Sequence, residues 1–168
     1  MNANLLFDFI VDKENNTVNV KREFMANVAL TWEAWTNPEI LDQWWAPKPY
    51  KTITKSMDFR EGGRWLYVMR GPENAEHWCK NDYITIDVEK SFSGLDAFCD
   101  EEGNANPDMP RTQWTNTFTQ NGDKTLVSIV AQYDNLEALE MVIAMGFKEG
   151  FTMALGNLDE YFENLTKK

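Results

Sequence analysis

The chain has 168 residues, a formal net charge of −11 at neutral pH and an aromatic content of 13%. This length is typical of one domain whose core is large enough to fold without disulfides or a structural metal, so we expect a single domain over residues 1–168. The 16 lysines and arginines form no cluster, and a phosphate backbone or an anionic membrane surface is therefore excluded as an expected partner.

Targeting signals are not evident. The N-terminus lacks the basic region of a signal peptide, and no apolar run approaches the ~18 residues that a membrane span needs. Cys79 and Cys99 stand far apart, outside any CxxC or metal-ligand spacing. We therefore expect a cytoplasmic protein without membrane insertion.

The first half opens with one strand and two short helices. After a polar lead-in over residues 1–16, alternating apolar side chains predict a strand at Thr17–Met25. Residues 30–35 then predict a short helix. Asn37 followed by Pro38 is a typical cap with proline at the first helical position, and it predicts a second short helix that ends before Pro47.

The middle of the chain predicts an antiparallel meander. Turn-forming residues separate its strands, and Asn121-Gly122 is a strong hairpin signal. Residues 100–110 form a long loop. Because strands follow one another without intervening helices, parallel βαβ units are not expected. The predicted strands are Tyr50–Phe59, Arg64–Arg70, Glu76–Asp87, Lys90–Cys99, Thr112–Gln120 and Thr125–Tyr133.

The C-terminal segment has helical periodicity. Apolar residues recur at three- and four-residue spacing from Leu136 to Leu165, and Asn135 is a suitable cap. We expect a single helix over much of Asn135–Leu165 that packs on the concave face of the sheet. Gly146 and Gly150 each cost about 1 kcal/mol relative to alanine in a helix interior, which predicts a kink or break there.

Several short motifs resemble those of one superfamily. Residues 32–39 (WEAWTNPE) and 44–47 (WWAP) look like the N-terminal signature of the START-like (SRPBCC) superfamily. Residues 58–63 (DFREGG) and 145–151 (MGFKEGF) match the branch named after the activator of the heat-shock chaperone ATPase (Aha-type). The resemblance implies an α+β helix-grip fold: a curved antiparallel sheet wrapped around a long C-terminal helix, with two short helices after the first strand.

The same resemblance implies an internal cavity between the sheet and the helix. We expect the cavity to bind a small hydrophobic or aromatic molecule, without a metal or cofactor. Trp65 and Tyr67 are chosen as inward-facing because they form the bulkier face of their strand. The candidate ligand-binding residues are Trp44, Trp65, Tyr67, His77, Tyr83, Trp114, Met141 and Met145.

Other functions stay open because this fold serves lipid carriers, cyclases and hydrolase-like proteins alike. One alternative is an enzyme that uses His77, the single histidine, with a tyrosine of the pocket. A thiolate of Cys79 activated by His77 on the same strand face is a weaker variant, because no third group orients the pair. Another alternative is a chaperone-associated interaction domain, or a homodimer. No catalytic residue is assigned.

Overall fold

The computed structural model describes residues 5–166, which form one antiparallel sheet of eight strands and four α-helices. The strands lie in the order β1-β2-β8-β7-β6-β5-β4-β3. Their bounds are Phe7–Asp12 (β1), Thr17–Phe24 (β2), Lys51–Met57 (β3), Arg64–Arg70 (β4), Glu76–Asp87 (β5), Ser91–Phe98 (β6), Thr112–Asn121 (β7) and Lys124–Gln132 (β8). The helices are Val28–Thr36 (α1), Pro38–Trp44 (α2), Leu136–Ala144 (α3) and Phe147–Thr166 (α4).

Strand β7 shows how the sequence pattern selects the inner face. Alternate residues from Thr112 to Phe118 are buried, and the residues between them are exposed. This period of two is that of a sheet with one face on a core and the other in water. The buried face of β7 belongs to the hydrophobic core shared with the helices, so the concave side of the sheet is the side that holds α1, α2 and α4.

Both predicted helix caps are present. The Asn37 side chain accepts a hydrogen bond from the Glu39 amide at 3.0 Å, and the Asn135 side chain accepts one from the Ala138 amide at 2.8 Å. Each cap satisfies an amide that the first helical turn leaves without a partner. The second short helix and the C-terminal helical segment therefore begin where the sequence predicts, whereas α1 begins at Val28, two residues before the predicted start.

The expected C-terminal helix is present as two helices, and the break between them falls at one of the two glycines where a kink or break is predicted. Helix α3 ends at Ala144 and α4 begins at Phe147. Gly146 between them has a φ of +92°, a left-handed conformation that glycine adopts without the steric penalty of a side chain. Of the two glycines that weaken the helix, Gly146 therefore lies at a complete break, whereas Gly150 lies within α4.

The sequence predicts no strand in the polar lead-in over residues 1–16, but residues 7–12 form the edge strand β1. Among the strands that the structure describes, β1 pairs with β2 alone. Its side chains are half-buried or exposed, with Ile10 58% exposed. An edge strand that buries so little of itself carries no clear apolar alternation, and the sequence therefore gave only a weak signal for it.

Helix α4 is held on the sheet by apolar packing and one ion pair. Leu155, Leu158 and Phe162 are buried in the core. The guanidinium of Arg22 on β2 donates a hydrogen bond to the Asp159 carboxylate. Both side chains are largely shielded from water, so this pair fixes α4 against the strand in a defined register.

Candidate functional site

A cavity of about 260 Å³ lies between the sheet and the broken C-terminal helix, partly open to solvent. Strands β4 to β7 form its floor and the residues on both sides of Gly146 form its roof. The lining residues are Trp45, Pro47, Tyr67, Met69, Cys79, Asp96, Ala97, Phe98, Pro110, Thr112, Trp114, Tyr133, Val142, Met145, Gly146, Phe147, Gly150 and Phe151.

Aromatic rings build most of the wall. Phe147 and Phe151 are four residues apart on α4, and their rings stack with centroids 5.4 Å apart, as expected for neighbours on one helix face. The Trp114 ring meets both, at 5.7 and 5.6 Å. Across the cavity, the indole nitrogen of Trp45 donates a hydrogen bond to the Tyr67 hydroxyl at 3.0 Å. The wall is therefore rigid as well as apolar.

One carboxylate, that of Asp96 on β6, lines this apolar space. Its Oδ2 accepts a hydrogen bond from the Trp114 indole nitrogen at 2.6 Å, and its Oδ1 accepts one from the Thr112 amide at 2.9 Å. Burial raises the pKa of Asp96 to about 6, while these two donors and Arg111 act in the opposite direction. Asp96 is consequently ionised at neutral pH.

Tyr133, just after β8, brings a hydroxyl that is not hydrogen-bonded. The residue is only 2% exposed, and its hydroxyl meets no donor or acceptor of normal geometry within the described residues. The Thr112 hydroxyl is close enough to lower the pKa of Tyr133, but burial outweighs it and raises that pKa to about 12. Buried polar groups are nearly always hydrogen-bonded in folded proteins, and the neighbouring Thr112 hydroxyl is a candidate partner for this one.

The thiol of Cys79 also lines the cavity, on β5 beside Tyr67. Burial raises its pKa to about 12, and the nearby Asp96 adds to the effect. A thiol that stays protonated at neutral pH is a poor nucleophile. The geometry therefore does not favour a thiolate activated by His77.

The eight residues proposed from the sequence fall into three groups. Tyr67, Trp114 and Met145 line the cavity. Three others are buried in the core outside the lining, and two are exposed outside it. The buried ones are Trp44, Trp65 and Tyr83, and the exposed ones are His77 and Met141.

Trp65 does face the helices, as its strand pattern predicts, because its ring contacts that of Trp45 at 5.7 Å. It stacks on Tyr67, which separates it from the open space. His77 lies at the exposed start of β5, with its ring 5.7 Å from that of Tyr50. Contact of these residues with a ligand stays a prediction.

Sequence reasoning missed Asp96, Tyr133 and the two phenylalanines Phe147 and Phe151. The phenylalanines carried a usable signal, since their i, i+4 spacing marks one helix face. The sequence contains no such signal for Asp96, because its position relative to the cavity depends on the register of the strands. The structure pairs it with Asn81 on β5 and Thr112 on β7, and only this register shows that it points to the same side as Trp114.

A second cavity, of about 560 Å³, lies beside the loop between α2 and β3. Asn157 of α4 donates hydrogen bonds there to the carbonyl oxygens of Trp44 and Ala46, at 3.4 and 3.1 Å. Its wall combines apolar surface with the exposed side chains of Lys48 and Lys51. We interpret this space as a solvated groove whose amide contacts fix the end of α2.

The described part of the chain contains neither a cluster of potential metal ligands nor a helix that could span a membrane. No three side chains of His, Cys, Asp or Glu within residues 5–166 come close enough to hold a metal ion. None of the helices over the same residues is long and apolar enough to cross a membrane.

An antiparallel sheet closed over a long C-terminal helix, with an aromatic cavity between them, defines a helix-grip protein of the START-like class. The chain belongs to the family described as Activator of Hsp90 ATPase homolog 1-like protein, whose model matches residues 25–163. No curated protein sequence matches the chain.

Solved structures agree with this assignment. A protein from Mycobacterium smegmatis is 32% identical, with a TM-score of 0.85, over 94% of this chain and 96% of that one. A protein from Arthrobacter aurescens is 25% identical, also with a TM-score of 0.85, over 90% of this chain and 88% of that one. The similarity thus extends over nearly the whole of each chain.

Proposed function

We propose that the chain binds a small, largely apolar molecule of one or two rings in the cavity under the break between α3 and α4. The observation that carries this proposal is the combination of an aromatic wall with one carboxylate, that of Asp96. Small-molecule sites typically have this composition, an apolar lining with a few polar groups that set orientation.

The volume supports a ligand of this size. Ligand pockets range over roughly 300–1,000 Å³, and an engineered cavity of about 150 Å³ accepts benzene. At about 260 Å³, the present cavity lies between the two, which suits one or two rings and is too small for a long-chain lipid.

Apolar burial would supply most of the affinity. Removing ~200 Å² of apolar surface from water is worth on the order of 5 kcal/mol before association costs. A single neutral hydrogen bond adds only about 0.5–1.5 kcal/mol. We therefore expect removal of a wall residue to weaken binding more than removal of any uncharged polar group.

A thermal-shift screen against apolar and aromatic metabolites tests the proposal. A ligand at 100 times its Kd contributes about 2.7 kcal/mol to the free energy of unfolding by mass action. Trp114→Ala is expected to weaken binding at least tenfold, because it removes part of the wall. The matched control is Trp78→Ala, which removes an indole that lies outside the cavity beneath Lys55 and should leave the Kd unchanged.

The family name also suggests a chaperone-associated role, in which the net charge of −11 would favour a basic partner surface. The two functions are separated by the same screen combined with a binding assay on a purified chaperone. Stabilisation by small molecules that depends on Trp114 favours the cavity. Tight association with the chaperone and no small-molecule stabilisation would overturn the proposal.

A further inference from the structure

We infer that the cavity selects an organic cation, a small ammonium compound with an aromatic or apolar body, and that Asp96 is the group that recognises its charge. This inference rests on the proposed function, because it names the chemical class of the ligand for the same cavity. It is carried by the charge and chemistry of the lining.

Asp96 is the single charged side chain among the lining residues that the structure describes. Its two hydrogen bonds come from Trp114 and from the Thr112 backbone, both of them neutral donors. A carboxylate has about four acceptor sites, so these two bonds leave acceptor capacity for a ligand. A negative charge in an apolar space that is contacted by neutral donors favours a cation opposite it.

The nearest guanidinium does not serve this purpose. The Nε of Arg111 donates to the backbone carbonyl of Asp96 at 3.0 Å, and its Nη2 donates to the Asp82 carboxylate at 2.8 Å. Arg111 is also absent from the lining of the cavity. The guanidinium is thus paired with Asp82, outside the cavity lining. The side of Asp96 that meets the cavity has no cationic partner within the described residues.

The wall adds a second preference for positive charge. Seven aromatic rings line the space, and each carries a negative π face. They are those of Trp45, Tyr67, Phe98, Trp114, Tyr133, Phe147 and Phe151. Cations within about 6 Å of such rings are attracted, most strongly where water is excluded. Carboxylate and aromatic faces therefore act in the same direction, whereas an anionic ligand would be repelled by both.

Three probes of one size and shape but different charge test the inference: benzylammonium, benzyl alcohol and benzoate. The Kd of each is measured by calorimetry or NMR titration with the wild-type protein at pH 7.5. Benzylammonium is expected to bind at least tenfold more tightly than benzyl alcohol, and benzoate more weakly than either. Asp96→Asn should remove at least tenfold of the affinity for benzylammonium and change that for benzyl alcohol by less than threefold.

A pH series on the wild-type protein gives the same information should Asp96→Asn fail to fold. Protonation of Asp96 removes its charge, so benzylammonium should bind about fivefold more weakly at pH 5.0 than at pH 7.5. Benzyl alcohol should be insensitive to this change. The other ionisable groups near Asp96 are Arg111, Asp82, Cys79, Tyr67 and Tyr133. The helix residues that face it from α3 and α4 are apolar.

Equal or tighter binding of benzyl alcohol or benzoate would overturn the inference and leave the proposed function standing. So would a benzylammonium preference that persists in Asp96→Asn and at pH 5.0. If none of the three probes binds at 10 mM, the inference fails, and the wider screen decides the proposed function separately. Neutral aromatic ligands found there keep the proposed function, and their absence removes both.

Discussion

The two ends of the concave groove contain the same kinds of aromatic residue but pack differently. Side chains fill one end, whereas at the other end they surround a cavity. At the solid end, under α1 and α2, the Trp32 ring contacts those of Phe59, Phe92 and Phe118 at 5.8, 5.6 and 5.3 Å. At the cavity end, under α3 and α4, Trp45, Trp114, Phe147 and Phe151 surround an open volume. Aromatic content alone therefore does not locate a site.

Adjacent tryptophans make the contrast plain. Trp44 is 1% exposed, and its indole nitrogen donates to the backbone carbonyl of Ala34 at 2.9 Å. Trp45, the next residue, donates instead to the Tyr67 hydroxyl and forms part of the cavity wall. The cavity lies where Gly146 interrupts the C-terminal helical segment. This break, and not the aromatic rings, distinguishes the cavity end.

The largest expected effect is at the solid end. Trp35 is buried between Phe24, Trp44 and Phe118, so Trp35→Ala should lower the free energy of unfolding by about 3–5 kcal/mol. Urea denaturation measures this loss. Trp114→Ala, beside a space that already exists, should cost less. A larger loss for Trp114→Ala than for Trp35→Ala would contradict the difference between the two ends.

The next effect is the pH dependence that Asp96 gives to the cavity end. The pKa of Asp96 is about 6 in the folded protein and near 3.9 when unfolded, so the folded state binds more protons between these values. Its contribution to the free energy of unfolding therefore rises as the pH falls, by about 2 kcal/mol between pH 7 and pH 4.

Asp96→Asn isolates this contribution from the other carboxylates. The stability difference, wild type minus variant, should shift in favour of the wild type by about 2 kcal/mol on going from pH 7 to pH 4. Denaturant melts at both pH values measure it. Parallel pH profiles for the two proteins would show that Asp96 is not held in an apolar environment.

What the sequence predicts well is local, and what it misses depends on contacts between distant residues. The bounds of β4 and β5 and the caps at Asn37 and Asn135 agree with the structure, because strand alternation and capping involve neighbours in the chain. The position of Asp96 depends on the register of β5, β6 and β7. The choice between Trp44 and Trp45 depends on how α2 is rotated against β4, which the short apolar pattern of that helix does not determine.

A smaller effect separates the two hydroxyls of the cavity end. Tyr133→Phe removes a buried hydroxyl that makes no hydrogen bond of normal geometry within the described residues, so the free energy of unfolding without ligand should stay the same or rise by up to about 1 kcal/mol. Tyr67→Phe is the matched control. It removes the acceptor of the Trp45 hydrogen bond and should cost about 0.5–1.5 kcal/mol. Equal losses in both variants would mean that Tyr133 is hydrogen-bonded within the protein.

The smallest effect is expected at His77. Its side chain is exposed and lies outside the cavity lining, so His77→Ala should change the free energy of unfolding by less than about 0.5 kcal/mol. Ligand affinity should fall by less than tenfold, in contrast to Trp114→Ala. Loss of binding or of a turnover in His77→Ala, with Trp114→Ala unaffected, would favour the enzyme alternative.

Methionine methyl groups offer the most direct test of the central claim, that the cavity end is where a ligand binds. Met69 and Met145 line the cavity, whereas Met25 and Met153 are exposed and do not. With methyl-labelled methionine, titration of a ligand found in the screen should shift the Met69 and Met145 signals along one saturation curve and leave those of Met25 and Met153 in place. Saturable shifts at Met25 or Met153, with Met69 and Met145 unchanged, would contradict the claim.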